Sequence, residues 1–343
     1  MQKPSPAFIP YVKAVGRGAK LRRDLTYDEA ADALRLMLNG SASEAQMGAF
    51  LIAQRVKGES PAEVRAFTDV VRQEFSTPLR PRLKRLLDLA TPYDGKARTA
   101  QLAPAIALLL AAAGLPVLLH GAADIPTKSG VTVGQVLAGL GVPTTLSPDA
   151  ATAQLEKHAI AYIDASQFAP AWNALTPLRH QFGLRTVFNT VEKWFNPADA
   201  PFQVSGFFHA NYIEAVREAQ TGQERSFIVQ GEEGSIEMAA GRRTPIFARD
   251  AADDWQIDPT EVGLPLRERI ALPPVVEQHV ALNQSVIDGE DNAAAEQVTL
   301  TAGALLALFG RAADFKQGYH HATTLLRDGA ASQILSSIRE ETV

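Results

Sequence analysis

Between Leu102 and Leu119 the chain is almost wholly apolar, and that stretch limits what the rest can fold into. Its length raises the question of a membrane span, which needs about 20 consecutive apolar residues. Pro104 near its start, and Gly114 and Pro116 close together, break it instead into a buried helix over residues 104–113, a turn and a short buried strand over 116–119. No membrane segment is expected. Just upstream, Leu86-Leu87-Asp88-Leu89-Ala90 reads as another short buried strand, followed by a Pro/Gly/Asp turn. Downstream lie a glycine-containing loop through Gly130 and a helix near residues 133–140. Strand, loop, helix, strand in this order predicts a parallel sheet with ligand loops at the C-terminal ends of its strands.

The first eighty residues follow a different rule. Thr26-Tyr27-Asp28-Glu29 has capping-box spacing, with a hydroxyl for the first turn and a carboxylate three residues on to reach back. Ser43-Glu44-Ala45-Gln46 and Ser60-Pro61-Ala62-Glu63 repeat it, and Gly40 and Gly58 sit where helix C-terminal caps belong. The spacing predicts three short helices with tight connections, preceded by another over residues 8–15. Further helices are expected from Ser147-Pro148, over 169–182 and 211–219, and at the end over 274–287, 293–309 and 315–326. Strand-like runs recur at 203–207 and 226–229. Residues 251–261, with Asp253, Asp254, Asp258 and Glu261, read as an exposed acidic stretch.

At 343 residues the chain fits two domains. A hydrophobic fraction of 46% and a charged fraction of 21% exclude general disorder. The formal charge of −5 excludes a globally basic nucleic-acid coat. There is no cysteine, which removes thiolate metal sites and cysteine nucleophiles and fits a reducing cytoplasm. The N-terminal Met1-Gln2-Lys3-Pro4-Ser5-Pro6 lacks the apolar core of a signal peptide. Adjacent His320 and His321 on one helix point in different directions and do not make a metal site.

Several segments together resemble the anthranilate phosphoribosyltransferases, TrpD-type glycosyl transferases. Met37-Leu38-Asn39-Gly40 and the run from Ala49 through Ser60 are similar to that family's helical N-terminal segment. Arg185-Thr186-Val187-Phe188-Asn189 followed by Asn196-Pro197 resembles its Arg-Thr-hydrophobic-Phe-Asn…Asn-Pro segment. His120-Gly121 and Lys128-Ser129-Gly130 resemble remnants of its Lys-His-Gly-Asn-Arg-Ser…Lys-Ser-Gly loop. The resemblance implies a small N-terminal helical domain over residues 1–80, joined by helices from about 147–182. It implies a larger α/β domain with a central, mainly parallel sheet over 85–145 and 183–343. A homodimer through the helical domains is implied as well.

Function does not travel with a fold. The family binds phosphoribosyl pyrophosphate with a Gly-Thr-Gly-Gly-Asp-Gly loop, whose glycines let backbone N–H groups approach the anion. The matching residues here are Ala90-Thr91-Pro92-Tyr93-Asp94-Gly95, so only Thr91, Asp94 and Gly95 survive. Pro92 removes a donor, and Tyr93 brings a ring to the phosphate position. Gln101-Leu102-Ala103-Pro104 replaces Asn-Ile-Ser-Thr. Leu119 replaces a lysine, Ala122-Ala123 an Asn-Arg pair, and Asp124 a serine. The family's magnesium pair, Asp-Glu, is matched by Ile236-Glu237, leaving Glu237 as a remnant that reads as a lone surface carboxylate. No catalytic residue, metal or cofactor is expected; magnesium belongs only to an alternative in which the chain still transfers phosphoribosyl to anthranilate or another aromatic acceptor.

The Pro-Tyr-Asp-Gly pattern resembles the YbiB-like side branch, which implies a homodimer that binds nucleic acid nonspecifically. Two basic blocks fit a polyanion partner: Lys13, Arg17, Lys20, Arg22 and Arg23, then Arg80, Arg82, Lys84, Arg85, Lys96 and Arg98. Lys96, Arg98, Lys128 and Arg185 lie at loops where the family holds anions. Simpler readings stand beside these: charge runs form solvated faces, Arg185 makes a structural ion pair, and Tyr93 either stacks on a base or plugs an obsolete site. His120 is either a retained anion contact or a strand-end residue. A protein-binding pseudoenzyme is a further alternative.

Overall fold

The computed structural model describes residues 3–207, 213–220 and 222–342. The N-terminal layer consists of α1 (Ile9–Gly16), α2 (Tyr27–Leu38), α3 (Glu44–Lys57) and α4 (Pro61–Glu74). All three capping boxes form: the hydroxyls of Thr26, Ser43 and Ser60 accept from the third helical amide, and Glu29, Gln46 and Glu63 reach back. Glu63 goes further. Its fully buried carboxylate accepts from the amides of Ser60 (2.7 Å) and Leu25 (2.9 Å) and pairs with Lys57 at 2.9 Å, tying three segments to one charge. Phe8, Phe50 and Phe67 fill the space between the helices, with successive ring centroids 5.4 and 6.5 Å apart.

The larger domain is a seven-stranded sheet in the order β3-β2-β1-β4-β5-β6-β7. Its strands are β1 (Leu87–Ala90), β2 (Val117–Gly121), β3 (Ile160–Asp164), β4 (Phe202–Gly206), β5 (Arg225–Val229), β6 (Thr244–Ala248) and β7 (Trp255–Ile257). The first five are parallel, and β6 and β7 close one edge antiparallel. Side chains alternate between two cores, as the pleat requires. Leu87, Leu89, Val117, Leu119 and Val204 face one core, and Leu118, Ala161, Ile163 and Ile228 the other.

The first core is covered by α5 (Ala103–Ala112), buried throughout from Ala103 to Ala111. The short α6 (Val133–Gly139) lies beside it, and α13 (Val276–Ile287), α14 (Ala293–Leu308), α15 (Phe315–Arg327) and α16 (Ala330–Thr342) surround it. The second core merges the opposite face of the sheet with the N-terminal helices. The broken apolar run is therefore helix, turn and central strand, and no described helix is long and apolar enough to cross a membrane.

Several expectations change. The helix from Ser147-Pro148, α7 (Pro148–His158), packs on β3 and α16, and its buried Ala151 and Leu155 lie in the second core with the N-terminal helices. Its neighbours are the short α8 (Ala165–Phe168), α9 (Pro170–Asn173) and α10 (Thr176–Phe182), where one helix over 169–182 was expected. Of these, α10 meets α3. Beyond them lie α11 (Phe188–Val191) and α12 (Ile213–Ala219); the expected start of the latter at residues 211 and 212 lies outside the described residues. The acidic stretch at 251–261 contains β7, whose Ile257 is buried.

The loops at the ends of β1 and β2 meet through two glycines. Lys96 and Val131 exchange backbone hydrogen bonds of 3.0 and 2.8 Å, and the Gly130 amide donates to Asp94. A Cβ on Gly95, whose φ is +69°, would lie 2.6 Å from Gly130, and one on Gly130 would lie 2.5 Å from the Lys96 backbone. Gly95→Ala combines overpacking with an unfavourable left-handed conformation. Chemical denaturation should show a loss of about 2–4 kcal/mol.

Candidate functional site

The loops at the C-terminal ends of β1 and β2, with β4 beside them, enclose a polar interior that ends at the cleft between the two domains. Strand register places Asp88 of β1 beside Gln203 of β4, and His120 of β2 beside Ala90. Gln203 donates to Asp88 Oδ2 at 2.6 Å. His120 Nε2 lies 3.0 Å from Asp88 Oδ1 but off the hydrogen-bond axis. The Tyr93 ring lies edge-on to His120, and its hydroxyl is 2.5 Å from Nδ1. Burial pushes the Tyr93 phenol well above its ordinary value, with Glu192 adding to the effect, so the hydroxyl keeps its proton in its hydrogen bond with His120.

Tyr93 is 1% exposed and lies inside the second core, so it plugs the loop and has no face for a base to stack on. His120 is equally buried, which makes it a structural residue rather than an accessible anion contact. Next to Tyr93 the buried Asp94 keeps both oxygens without hydrogen bonds. Lys128 stands 3.6 Å from one oxygen and Arg185 3.7 Å from the other.

Lys96, expected as a nucleic-acid contact, is fully buried. Its ammonium donates to the Ala100 carbonyl at 2.7 Å and lies 3.3 Å from Glu237. Glu237 is also fully buried and accepts from the Leu102 amide at 3.0 Å, at the first turn of α5. The reading of Glu237 as a surface carboxylate is therefore wrong: sequence shows its charge but not the lysine folded onto it.

Glu233 was not anticipated. Its carboxylate accepts from the amides of Ala97 (3.2 Å) and Arg98 (2.7 Å) and from the Thr99 hydroxyl (3.0 Å). Burial raises its pKa, but those donors and Lys128 outweigh burial and hold it below the ordinary carboxylate range. A cavity of about 280 Å³ opens beside it, lined by Arg55, Glu59, Arg185, Asn189, Lys193 and Gly234, among others. The Lys193 ammonium donates to the Gly206 carbonyl at 2.7 Å and sits 4.4 Å over the Phe207 ring.

This geometry can be set against known proteins. Residues 9–74 match the helical bundle domain of a glycosyl transferase family, and residues 94–332 match its a/b domain. An anthranilate phosphoribosyltransferase of Herpetosiphon aurantiacus is 30% identical over 337 residues, covering 93% of this chain and 95% of its own. The chain belongs to the anthranilate phosphoribosyltransferase family of glycosyl transferases. The crystal structure of anthranilate phosphoribosyltransferase from Thermus thermophilus superposes with a TM-score of 0.83 at 28% identity, covering 98% of this chain and 99% of that one. The enzyme from Saccharomyces cerevisiae in complex with PRPP and Mg gives 0.85 at 18% identity, a likeness that bears on the fold alone.

The magnesium in that complex invites a test of fit. Here Glu237 is taken up by Lys96 and the Leu102 amide, and Ile236 beside it is a buried hydrocarbon. A divalent ion would have to displace an ammonium from a sealed pair, so these residues do not fit one. Among the described residues no cluster of three acidic or histidine side chains could hold a metal.

The remaining family remnants fall around the cleft. Thr91 is buried with its hydroxyl unpaired, Gly121 is buried and Ser129 is exposed. The second basic block is not one patch, because β1 runs through it. Arg80, Arg82, Lys84 and Arg85 precede the strand, while Lys96 and Arg98 follow it. Arg85 donates to the Phe309 carbonyl at the end of α14, at 2.6 Å, and stacks over Phe202, so it caps a helix and is not free for a ligand.

In the first block Arg23 is held by Glu29, and Arg22 donates to the Val56 carbonyl; Lys13, Arg17 and Lys20 are exposed. The cations that sequence reading missed are Arg55 and Lys193 in the cleft, and Arg242, Arg267 and Arg269 around a groove of about 560 Å³ that includes Arg98. Lys193 carried a signal: Glu192-Lys193 is a charged pair between Val191 and Trp194-Phe195, shortly after the Arg-Thr-Val-Phe-Asn motif.

Burial lowers Lys193 to about 7, and the charges of Arg185 and Lys128 push the same way, against Glu192 and Asp94. The unfolded chain holds this proton up to the ordinary value of 10.5, so the folded state binds fewer protons between about 7 and 10.5. The resulting destabilisation is full below about pH 7 and fades toward 10.5. Lys193→Met should therefore raise Tm most at pH 6–7 and little near pH 10, as thermal melts across a pH series would show.

Proposed function

We propose that this protein is a non-catalytic member of its family that holds nucleic acid through the phosphates, without strong sequence preference. The observation that carries this reading is that the protein's own groups take the polar positions of the cleft. Tyr93 fills the loop after β1, Lys96 neutralises Glu237, and Glu233 occupies the amides of residues 97 and 98. Cations remain outward of these closed contacts. Arg98 is 64% exposed, and Arg242 and Arg269 are exposed beside it around the groove. Exposed guanidinium groups on a groove suit phosphates, which release counterions when neutralised. The overall charge of −5 does not oppose this, because field strength at a groove depends on local charge.

The reading includes a homodimer through the helical domain, where Ile9, Leu21 and Val56 expose apolar surface. Fluorescence anisotropy with labelled single- and double-stranded oligonucleotides tests the reading. Binding should weaken steeply with salt, and Arg98→Ala with Arg269→Ala should reduce the log–log salt slope by about 2 on double-stranded DNA. A signal that is absent at low salt, or insensitive to salt, overturns it.

A second reading, an active phosphoribosyltransferase, is supported by the names of the relatives and by Asp94. That carboxylate is unsatisfied between Lys128 and Arg185, close to the 280 Å³ cavity. Magnesium-dependent consumption of phosphoribosyl pyrophosphate in the presence of anthranilate would replace the first reading with this one.

A further inference from the structure

Lys57 meets Glu63 at 2.9 Å and Lys96 lies 3.3 Å from Glu237, so each of these buried ammonium groups has a counter-ion. Lys193 is 4% exposed, and no ion pair among the described residues includes it. Its Nζ has a neutral partner instead, the Gly206 carbonyl at 2.7 Å, with the Phe207 ring 4.4 Å away. A lysine taken out of water without a counter-ion, among other cations, sheds its proton and becomes a nucleophilic amine.

This amine is not sealed in the core, because it lines the cleft cavity of about 280 Å³. Arg185 and Lys128 disfavour a proton on it, while Glu192 and Asp94 favour one. Arg55 and Glu59 line the same cavity from the end of α3, and Glu233 from the turn after β5. Burial dominates and brings the ammonium down to about 7. At pH 7 about half of the molecules then carry the free amine, against about one in three thousand for an ordinary lysine. Arg55 and Arg185 give the cavity two guanidinium groups, which suit a guest with an acid group.

We propose that Lys193 is a reactive amine that captures small carbonyl compounds bearing an acid group, of the 2-oxo acid class, as imines. The Nζ lone pair attacks the carbonyl carbon while the C=O π pair moves onto oxygen. One proton passes from nitrogen to that oxygen and gives a carbinolamine. The hydroxyl then leaves with the second N–H proton as water, and the nitrogen lone pair closes the C=N bond. No oxidant or reductant is consumed, and water reverses the capture. The proposal stands apart from nucleic-acid binding, since it needs reversible capture in the cleft and no turnover.

Reductive trapping on the full chain tests it. Wild type is incubated with glyoxylate and sodium cyanoborohydride, whose hydride fixes any imine as a secondary amine, and the adducts are located by peptide mass spectrometry. At pH 7 Lys193 should be labelled at least about tenfold faster than the exposed Lys13, Lys20 and Lys84. Its rate should reach half its maximum near pH 7, whereas the exposed lysines should keep gaining toward pH 10. Labelling of Lys193 that is absent, or no faster than at the exposed lysines, overturns the proposal.

Acetaldehyde, which has no acid group, tests the choice of guest. The ratio of glyoxylate to acetaldehyde labelling should be about tenfold higher at Lys193 than at the exposed lysines, and Arg55→Ala should lower it. A ratio equal to that of the exposed lysines overturns the acid-bearing guest. Lys193→Arg keeps the charge but lacks the reactive amine, so the fast adduct should vanish while slow labelling elsewhere continues. A fast adduct that persists in Lys193→Arg overturns the assignment to Lys193. Should that variant fail to fold, the wild-type peptide map still decides the matter.

Discussion

A charge sealed away from water has to be met by another, and Lys96 and Glu237 meet each other at the centre of this molecule. Taking both out of water costs several kcal/mol per ion, and removing one partner of such a pair typically costs about 3–5 kcal/mol. The pair joins three segments: the loop after β1, the first turn of α5 and residues 234–237. That loop is also clamped to residues 130 and 131 by backbone pairing across two glycines. With both ends held, Tyr93 and Asp94 have one position each. The arrangement of the cleft depends on this clamp.

The same interior meets much of its polarity with the protein's own groups. An enzyme site leaves polar groups unpaired so that substrate and metal complete them. Here a phenol meets His120 Nδ1, an ammonium and an amide meet one oxygen of Glu237, and a carboxylate takes the amides of residues 97 and 98. Asp94 and the hydroxyl of Thr91 stay without hydrogen bonds, as do His120 Nε2 and Glu237 Oε2 among others. The closed contacts lie inward and the exposed arginines outward. This division fits the proposed function and makes Glu233, on the boundary, the residue where the two meet.

Much of the fold was legible in the chain. The hydroxyl and acid spacings at Thr26, Ser43 and Ser60 specify helix starts by local hydrogen bonding, and all three form. The apolar run broken at Gly114 and Pro116 marks α5 and β2, because turn residues act within a few positions. Less of the site was legible. Pro92 and Tyr93 announced that the phosphate loop had changed, but whether the ring faced ligand or core was open. The basic block at 80–98 looked continuous because sequence distance hides the strand between its halves. Lys96 and Glu237 looked like two surface charges because 141 positions separate them in the chain.

The sequence by itself determined the capped starts of the N-terminal helices, the buried central elements, the family and the loss of glycines from one loop, all of which rest on local spacing and residue type. Only the tertiary structure decided which charges are spent on each other. Ion pairing falls off over a few ångströms and burial is set by neighbours from distant segments. The sites that Glu233, Lys96 and Tyr93 occupy exist only once β1, β2 and residues 230–237 come together.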